Sequence, residues 1–278
     1  MNPTYIARCA QLAMLLEVSA TPKPGNVDRN HDFDDVKYEH FLASAVGAGP
    51  IFERAAIAKK GTGSFIRESV EESIKWQSGG NTHFGAFLLL LPLVMAAGND
   101  GVKSITKVVQ DTSVEDAVEF YKAFRCVKVR VSSVKELSID DPNSVNEIKR
   151  RGLTLYDLMK LSAKYDAIAH EWVSGFQRTF RGASVLEGKL GQMSTNNAIV
   201  FTYLTLLSEQ PDTLIQSKFG GEKAIKVSDK ASRLIGNWDL DAIHDFDGEL
   251  IREGINPGST ADMVIGSLFI ALLGGMKP

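Results

Sequence analysis

The chain has 278 residues, 44% hydrophobic and 23% charged, which is ample for a buried core and excludes a disordered, collagen-like or disulfide-stapled protein. Its 34 acidic and 31 basic side chains leave a formal charge of -3, which argues against wholesale binding to nucleic acid or to an anionic membrane. The two cysteines, Cys9 and Cys126, make neither a metal cluster nor a disulfide framework, so a reducing cytoplasm is the expected setting.

The dominant period along the chain is helical. Tyr5, Cys9, Leu12 and Leu16 recur at helical spacing and predict a first helix, and the Arg8 and Glu17 within this stretch disagree with a secretory signal. Phe41, Ala45, Ala48, Phe52 and Ala56 predict a second whose small residues imply close packing; Ile66, Val70 and Ile74 predict a third. The apolar run Phe84 to Gly98 is shorter than the ~20 residues a membrane span needs and contains Pro92, so it reads as a helix buried on all sides. Thr112 and Ser113 followed by Glu115 and Asp116 mark another helix start.

Val127, Val129 and Val131 alternate as a strand would, but a strand without a mate leaves its backbone unsatisfied, so the end of a helix is the preferred reading. Asp140 to Asn146, with Pro142, reads as a loop, and Leu153 to Phe180 as two helices. Asn196 to Leu207, Glu222 to Ile235, Leu240 to Glu253 and Ser259 to Leu273 read as further helices, the last capped by Ser259. The expectation is one compact all-α domain of nine to eleven helices spanning residues 1–278.

Clustered polar residues interrupt this core in four places. Glu17 is followed by Thr21-Pro22-Lys23-Pro24-Gly25 and then by Asp28, Arg29, His31, Asp32, Asp34 and Asp35. The prolines forbid helix and hold Lys23 in an extended turn suited to a phosphate, while Gly25 permits positive φ or the close approach of a ligand. The structural alternative is a helix-terminating turn with a solvated acidic tail. In the second cluster, Ser78 to Gly85, the glycines Gly79 and Gly80 precede Asn81, Thr82 and His83 at a helix start, where free amides and the dipole favour an anion. An ordinary cap by Asn81 or Thr82 is its alternative. Asp212 in Pro211 to Leu214 and Asp262 in Asn256 to Met263 form the third and fourth clusters, with helix capping and a dipole-stabilising acid as their structural readings.

Together, Glu17, Thr21 to Gly25, Val27, Asp28, Asn81-Thr82-His83 with Gly85, Asp212-Thr213, Pro257-Gly258 and Ala261-Asp262 resemble the ordered landmarks of the ATP:dephospho-CoA triphosphoribosyltransferase family. The resemblance runs from residue 17 to the last helix, and its first two motifs are the specific ones. It implies an enzyme that replaces the adenine of ATP with the ribose 2′-hydroxyl of 3′-dephospho-CoA, passing through a transition state like an oxocarbenium ion. Asp28 and His83 are then the catalytic candidates. Lys23, Gly25, Arg29, Gly79, Asn81, Thr82 and His83 suit the triphosphate, while Asp28, Asp212 and Asp262 suit magnesium. Glu17, His31, Asp32, Asp34 and Asp35 are further candidates.

The chain departs from the family pattern at Phe84, at Arg150-Arg151-Gly152 and its continuation, at Asn256 and at Ser259-Thr260, and the segment after Arg29 is short. These positions bear on the acceptor, so ATP use is better supported than the identity of the acceptor. A transferase or nucleosidase with another nucleotide-like or CoA-like acceptor, and a non-catalytic ATP sensor, are the competing readings. No nucleic acid or membrane partner is expected, and the Ala- and Gly-rich helix faces are compatible with a homodimer.

Overall fold

The computed structural model describes residues 1–80, 82–127, 137, 141 and 143–278. Among them it contains fifteen α-helices and no strand, so the all-α expectation holds while the expected nine to eleven helices are too few. The helices gather into two compact units, one made of Met1–Leu12 and Ala43–Phe176, the other of Ala13–Leu42 and Gln177–Pro278. Helices α1 (Pro3–Ser19) and α2 (Tyr38–Ile57) contribute residues to both.

The first unit continues with α3 (Thr62–Trp76), α4 (Phe84–Gly98), a 3-10 turn at Val102–Ser104, α5 (Ile105–Gln110), α6 (Val114–Cys126), α7 (Ser144–Arg151), α8 (Leu155–Ser162) and α9 (Ala167–Ser174). Its centre is α4, buried from Ala86 through Ala97, as its unbroken apolar sequence requires. Pro92 has no amide hydrogen and so frees the carbonyl four residues back, that of Leu88. The indole Nε1–H of Trp172 fills that vacancy, donating to the Leu88 oxygen at 2.9 Å. Pro50 in α2 creates the same problem at Val46, and Gln11 Nε2 donates to the Val46 oxygen at 3.2 Å. A Cβ on Gly98 would lie 1.7 Å from the Ala56 oxygen, so α2 and α4 pack at glycine distance.

The second unit continues with α10 (Gln177–Lys189), α11 (Thr195–Glu209), α12 (Thr213–Phe219), α13 (Gly221–Gly236), α14 (Leu240–Arg252) and α15 (Gly258–Leu273). Helix α11 is buried from Ala198 to Leu207 except at Phe201. Gly182 of α10 lets α15 approach, since a Cβ there would lie 2.2 Å from Ser267 Oγ, and that hydroxyl donates to the Thr179 carbonyl at 2.9 Å.

Several expectations need correction. Leu153 to Phe180 holds α8, α9 and the start of α10 in place of two helices, and Ser144 to Asn146 open α7 where a loop was expected. Helices of six to eight residues span about two turns, too few for a period to stand out. The buried face of α1 includes Ile6, Cys9, Ala10, Ala13, Met14 and Glu17, so Cys9 is buried as expected, whereas Tyr5 is exposed and Leu12 and Leu16 are only half-buried. Helix α15 starts at Gly258, with Pro257 in the N-cap position and no side-chain cap from Ser259. The Ser113 cap on α6 is as expected, completed by Asp116 into a capping box. Val129, Val131, Asp140 and Pro142 lie outside the described residues. No single described helix is long and apolar enough to cross a membrane.

Candidate functional site

The proline-flanked loop that follows α1 lies in the second unit and is held by partners from α11, α14 and the turn before α15. Asn196 grips Thr21 from both sides: its Oδ1 accepts from the Thr21 amide at 3.0 Å and its Nδ2 donates to the Thr21 carbonyl at 2.7 Å. The Tyr203 hydroxyl donates to the Pro24 carbonyl at 2.9 Å, and Asn26 donates to Asn256 Oδ1 at 3.1 Å. The Lys23 ammonium is fully buried and pairs with Glu17, so in this conformation it braces the loop from within. Gly25 has a φ of 76°, and a Cβ would lie 2.3 Å from the Ile255 oxygen. The glycine thus serves both positive φ and close approach, but what approaches is the protein's own backbone.

Asp28 is fully buried and organises the next turn. Its Oδ1 accepts from the Asn30 amide at 2.8 Å and the His31 amide at 3.2 Å, while Oδ2 accepts from the Lys23 amide at 3.3 Å. Two backbone hydrogen bonds between Asp28 and His31 close the turn. This brings His31 Nδ1 to 2.8 Å from Oδ2 of Asp247 on α14, although the two atoms are not aligned as a hydrogen bond. The other oxygen of Asp247 accepts from the Gly25 amide at 2.9 Å. Asp28, His31 and Asp247 each turn a donor atom to within 4.8 Å of the others. Among the described residues this is the one such group that could share an ion.

Burial pushes the Asp247 carboxyl up, and Asp28 adds to this, while the Gly25 amide, His31 and His244 oppose it. Burial also raises Glu17 against the pull of Lys23, with Asp28 again adding to the rise. The Tyr203 phenol is held well above its ordinary range by burial, then by Asp212, Glu17 and Asp247. An interior in which three carboxylates face one ammonium favours whatever adds positive charge.

The remaining candidates are distributed as follows. Arg29 is exposed, its guanidinium 3.4 Å from Asn196 Oδ1. Asp32 accepts from the Tyr38 amide at 2.8 Å and starts α2, while Asp34 and Asp35 are exposed. Asp212 caps α12 through the Leu214 and Ile215 amides, and its second oxygen accepts from the amide and hydroxyl of Thr260, both at 2.7 Å. This is the capping alternative, and neither Asp212 nor the half-buried Asp262 of α15 belongs to the Asp28 group. Asp247 is the residue that sequence reasoning missed. Its signal was present: with Ile243, Phe246 and Leu250 it takes a slot in an apolar helical face, where an acid is out of place.

The second motif lies in the first unit. His83, not Asn81 or Thr82, precedes the first helical residue of α4, and Asn81 lies outside the described residues. The His83 ring is buried, its Nδ1 2.9 Å from Ser44 Oγ; Ser73 donates to the same hydroxyl at 2.8 Å and lies 3.3 Å from the Thr82 hydroxyl. Ser73, Thr82 and His83, with Gln77 and Phe87, line a small recess. Gly80 accepts from the Gln77 side chain at 3.2 Å, and Gly79 is half-buried beside it.

Comparison with known proteins finds a match over residues 3–278 to the family described as CitG, ATP:dephospho-CoA triphosphoribosyl transferase. The 2-(5''-triphosphoribosyl)-3'-dephosphocoenzyme-A synthase of Klebsiella pneumoniae is 25% identical over 293 residues, covering 98% of this chain and 91% of its own. That of Pectobacterium atrosepticum is 27% identical over 269 residues, covering 91% and 83%. A crystal structure from Archaeoglobus fulgidus, described as a candidate triphosphoribosyl-dephospho-CoA synthase, superposes with a TM-score of 0.71 at 32% identity, covering 86% of this chain and 100% of that one.

Proposed function

The chain belongs to the ATP:dephospho-CoA triphosphoribosyl transferase family, and from that premise we propose that it moves the triphosphoribosyl group of ATP to the 2′-hydroxyl of 3′-dephospho-CoA. The bond from the ribose anomeric carbon to adenine breaks, a bond to the acceptor oxygen forms, the hydroxyl proton is lost and adenine departs protonated. Such a step builds positive charge on the ribose, and a site for it needs negative charge that is already oriented.

The observation that carries this reading is Asp28, a buried carboxylate fixed by three amides beside a second buried carboxylate, Asp247. Its orientation is set before any substrate arrives, which is what electrostatic stabilisation of a transition state requires. Asp28 is the catalytic carboxylate in this reading. Arg29 is the exposed cation of the same motif. A divalent ion such as magnesium, arriving with ATP, would offset the charge between the nucleotide and the acidic loop.

Incubation with ATP and magnesium, with and without dephospho-CoA, followed by chromatography for free adenine, tests the proposal. Adenine released only with dephospho-CoA is the expected result. Adenine without an acceptor would indicate a nucleosidase, and ATP binding without adenine would indicate a sensor.

A further inference from the structure

We propose that Asp28, His31 and Asp247 form a resident site for a first-row transition divalent cation, occupied without nucleotide and preferring manganese to magnesium. The first argument is the unsatisfied chemistry of the group. Asp247 is fully buried, and its Oδ2 has no aligned hydrogen-bond donor although His31 Nδ1 is only 2.8 Å away. A protonated imidazole forming a simple ion pair would aim its N–H along that vector. Two buried lone-pair atoms in contact but unaligned are instead arranged as ligands of a third body.

The second argument is size. Oxygen and nitrogen ligands bind such cations at about 2.0–2.6 Å, so ligands on opposite sides of one ion lie roughly 4–5 Å apart. The three donor atoms here all lie within 4.8 Å of one another. The third is charge. Asp28 and Asp247 are buried side by side, and the buried ammonium, Lys23, is already paired with Glu17, so the two carboxylates favour an added divalent ion.

The donor set decides the class of ion. Magnesium takes oxygen ligands and keeps its waters, whereas an imidazole nitrogen beside two carboxylates suits manganese or iron. His31 is therefore the specificity-determining ligand. This pair of carboxylates does not depend on ATP, so the ion belongs to the loop and ties Asp28, in the turn after α1, to Asp247 on α14.

Titrating chelator-treated full-length protein with Mn2+ without nucleotide, following free Mn2+ by electron paramagnetic resonance, tests this separately from any transferase activity. One Mn2+ per chain is expected, with equimolar Mg2+ displacing little of it. His31→Gln should weaken Mn2+ binding by at least about tenfold and narrow the preference over Mg2+, while Asp247→Asn should abolish the site. Because Asp247 also anchors the Gly25 amide, the part-exposed His31 provides the decisive variant, with circular dichroism confirming its fold. Failure of the wild type to bind stoichiometric Mn2+, or unchanged binding by a folded His31→Gln, would overturn the proposal and leave His31 and Asp247 an ordinary ion pair.

Discussion

Removing one member of the Glu17–Lys23 pair separates a structural lysine from a phosphate-binding one. Both side chains are essentially out of solvent, at 2% and 0% exposure, so water does not screen whichever charge is left behind. Breaking a buried pair from one side costs about 3–5 kcal/mol, whereas replacing both members with apolar residues of similar size is often neutral. Glu17→Gln, which strands the ammonium, should therefore lower stability by about 3–5 kcal/mol, or roughly 6–20 °C in Tm at about 2–4 °C per kcal/mol. Lys23→Met should cost less, because burial already holds the Glu17 carboxyl above its ordinary range and it can fold protonated. An acid whose folded pKa is raised favours folding at low pH and loses that contribution as pH rises through the folded value. The Lys23→Met deficit should accordingly shrink as pH is lowered from neutral. The double variant Glu17→Leu/Lys23→Met should recover most of the loss in urea melts followed by circular dichroism. A Lys23→Met protein destabilised by less than about 1 kcal/mol, but weakened at least about tenfold in ATP binding, would refute the structural role and return Lys23 to the phosphate.

Trp172→Phe should cost about 1–3 kcal/mol by orphaning the Leu88 carbonyl, and nearly nothing in a Pro92→Ala background, where the helix amide supplies the missing bond; a thermal double-mutant cycle reads the difference. Gly25→Ala should destabilise by more than the roughly 1–2 kcal/mol that left-handed backbone costs an alanine, because the added Cβ also meets Ile255 and Leu250; urea denaturation measures it. Asp212→Ala should lose a helix cap and strand two Thr260 donors, about 2–4 kcal/mol in all, while leaving the Mn2+ affinity of the folded protein unchanged, as measured by the same resonance titration.

Long helices were legible in the sequence because their period repeats several times: α4, α11, α13, α14 and α15 fall within a residue or two of their expected limits. Helices α5, α7 and α12 were not, since six to eight residues carry too few turns to announce a face. The polar motif around Asp28 was legible as an interruption of helical pattern. Its partners were harder to find, because Asp247 lies 219 positions along the chain on an otherwise ordinary amphipathic helix. What joins them is the Gly25 amide donating to Asp247, a contact that backbone geometry decides and residue spacing does not reveal. Lys23 shows the opposite limit. A proline-flanked lysine looks outward in sequence, yet Glu17, in the last turn of α1, draws it inside.

The central claim, a triphosphoribosyl transfer centred on the buried Asp28 carboxylate, is tested most directly by the mass of the product. Wild-type protein incubated with ATP, dephospho-CoA and divalent ion should yield free adenine and an acceptor heavier by one triphosphoribosyl group, in equal amounts. Asp28→Asn, folded by circular dichroism, should yield almost none of either. An acceptor of unchanged mass beside released adenine, or a folded Asp28→Asn protein that turns over like wild type, would contradict the account.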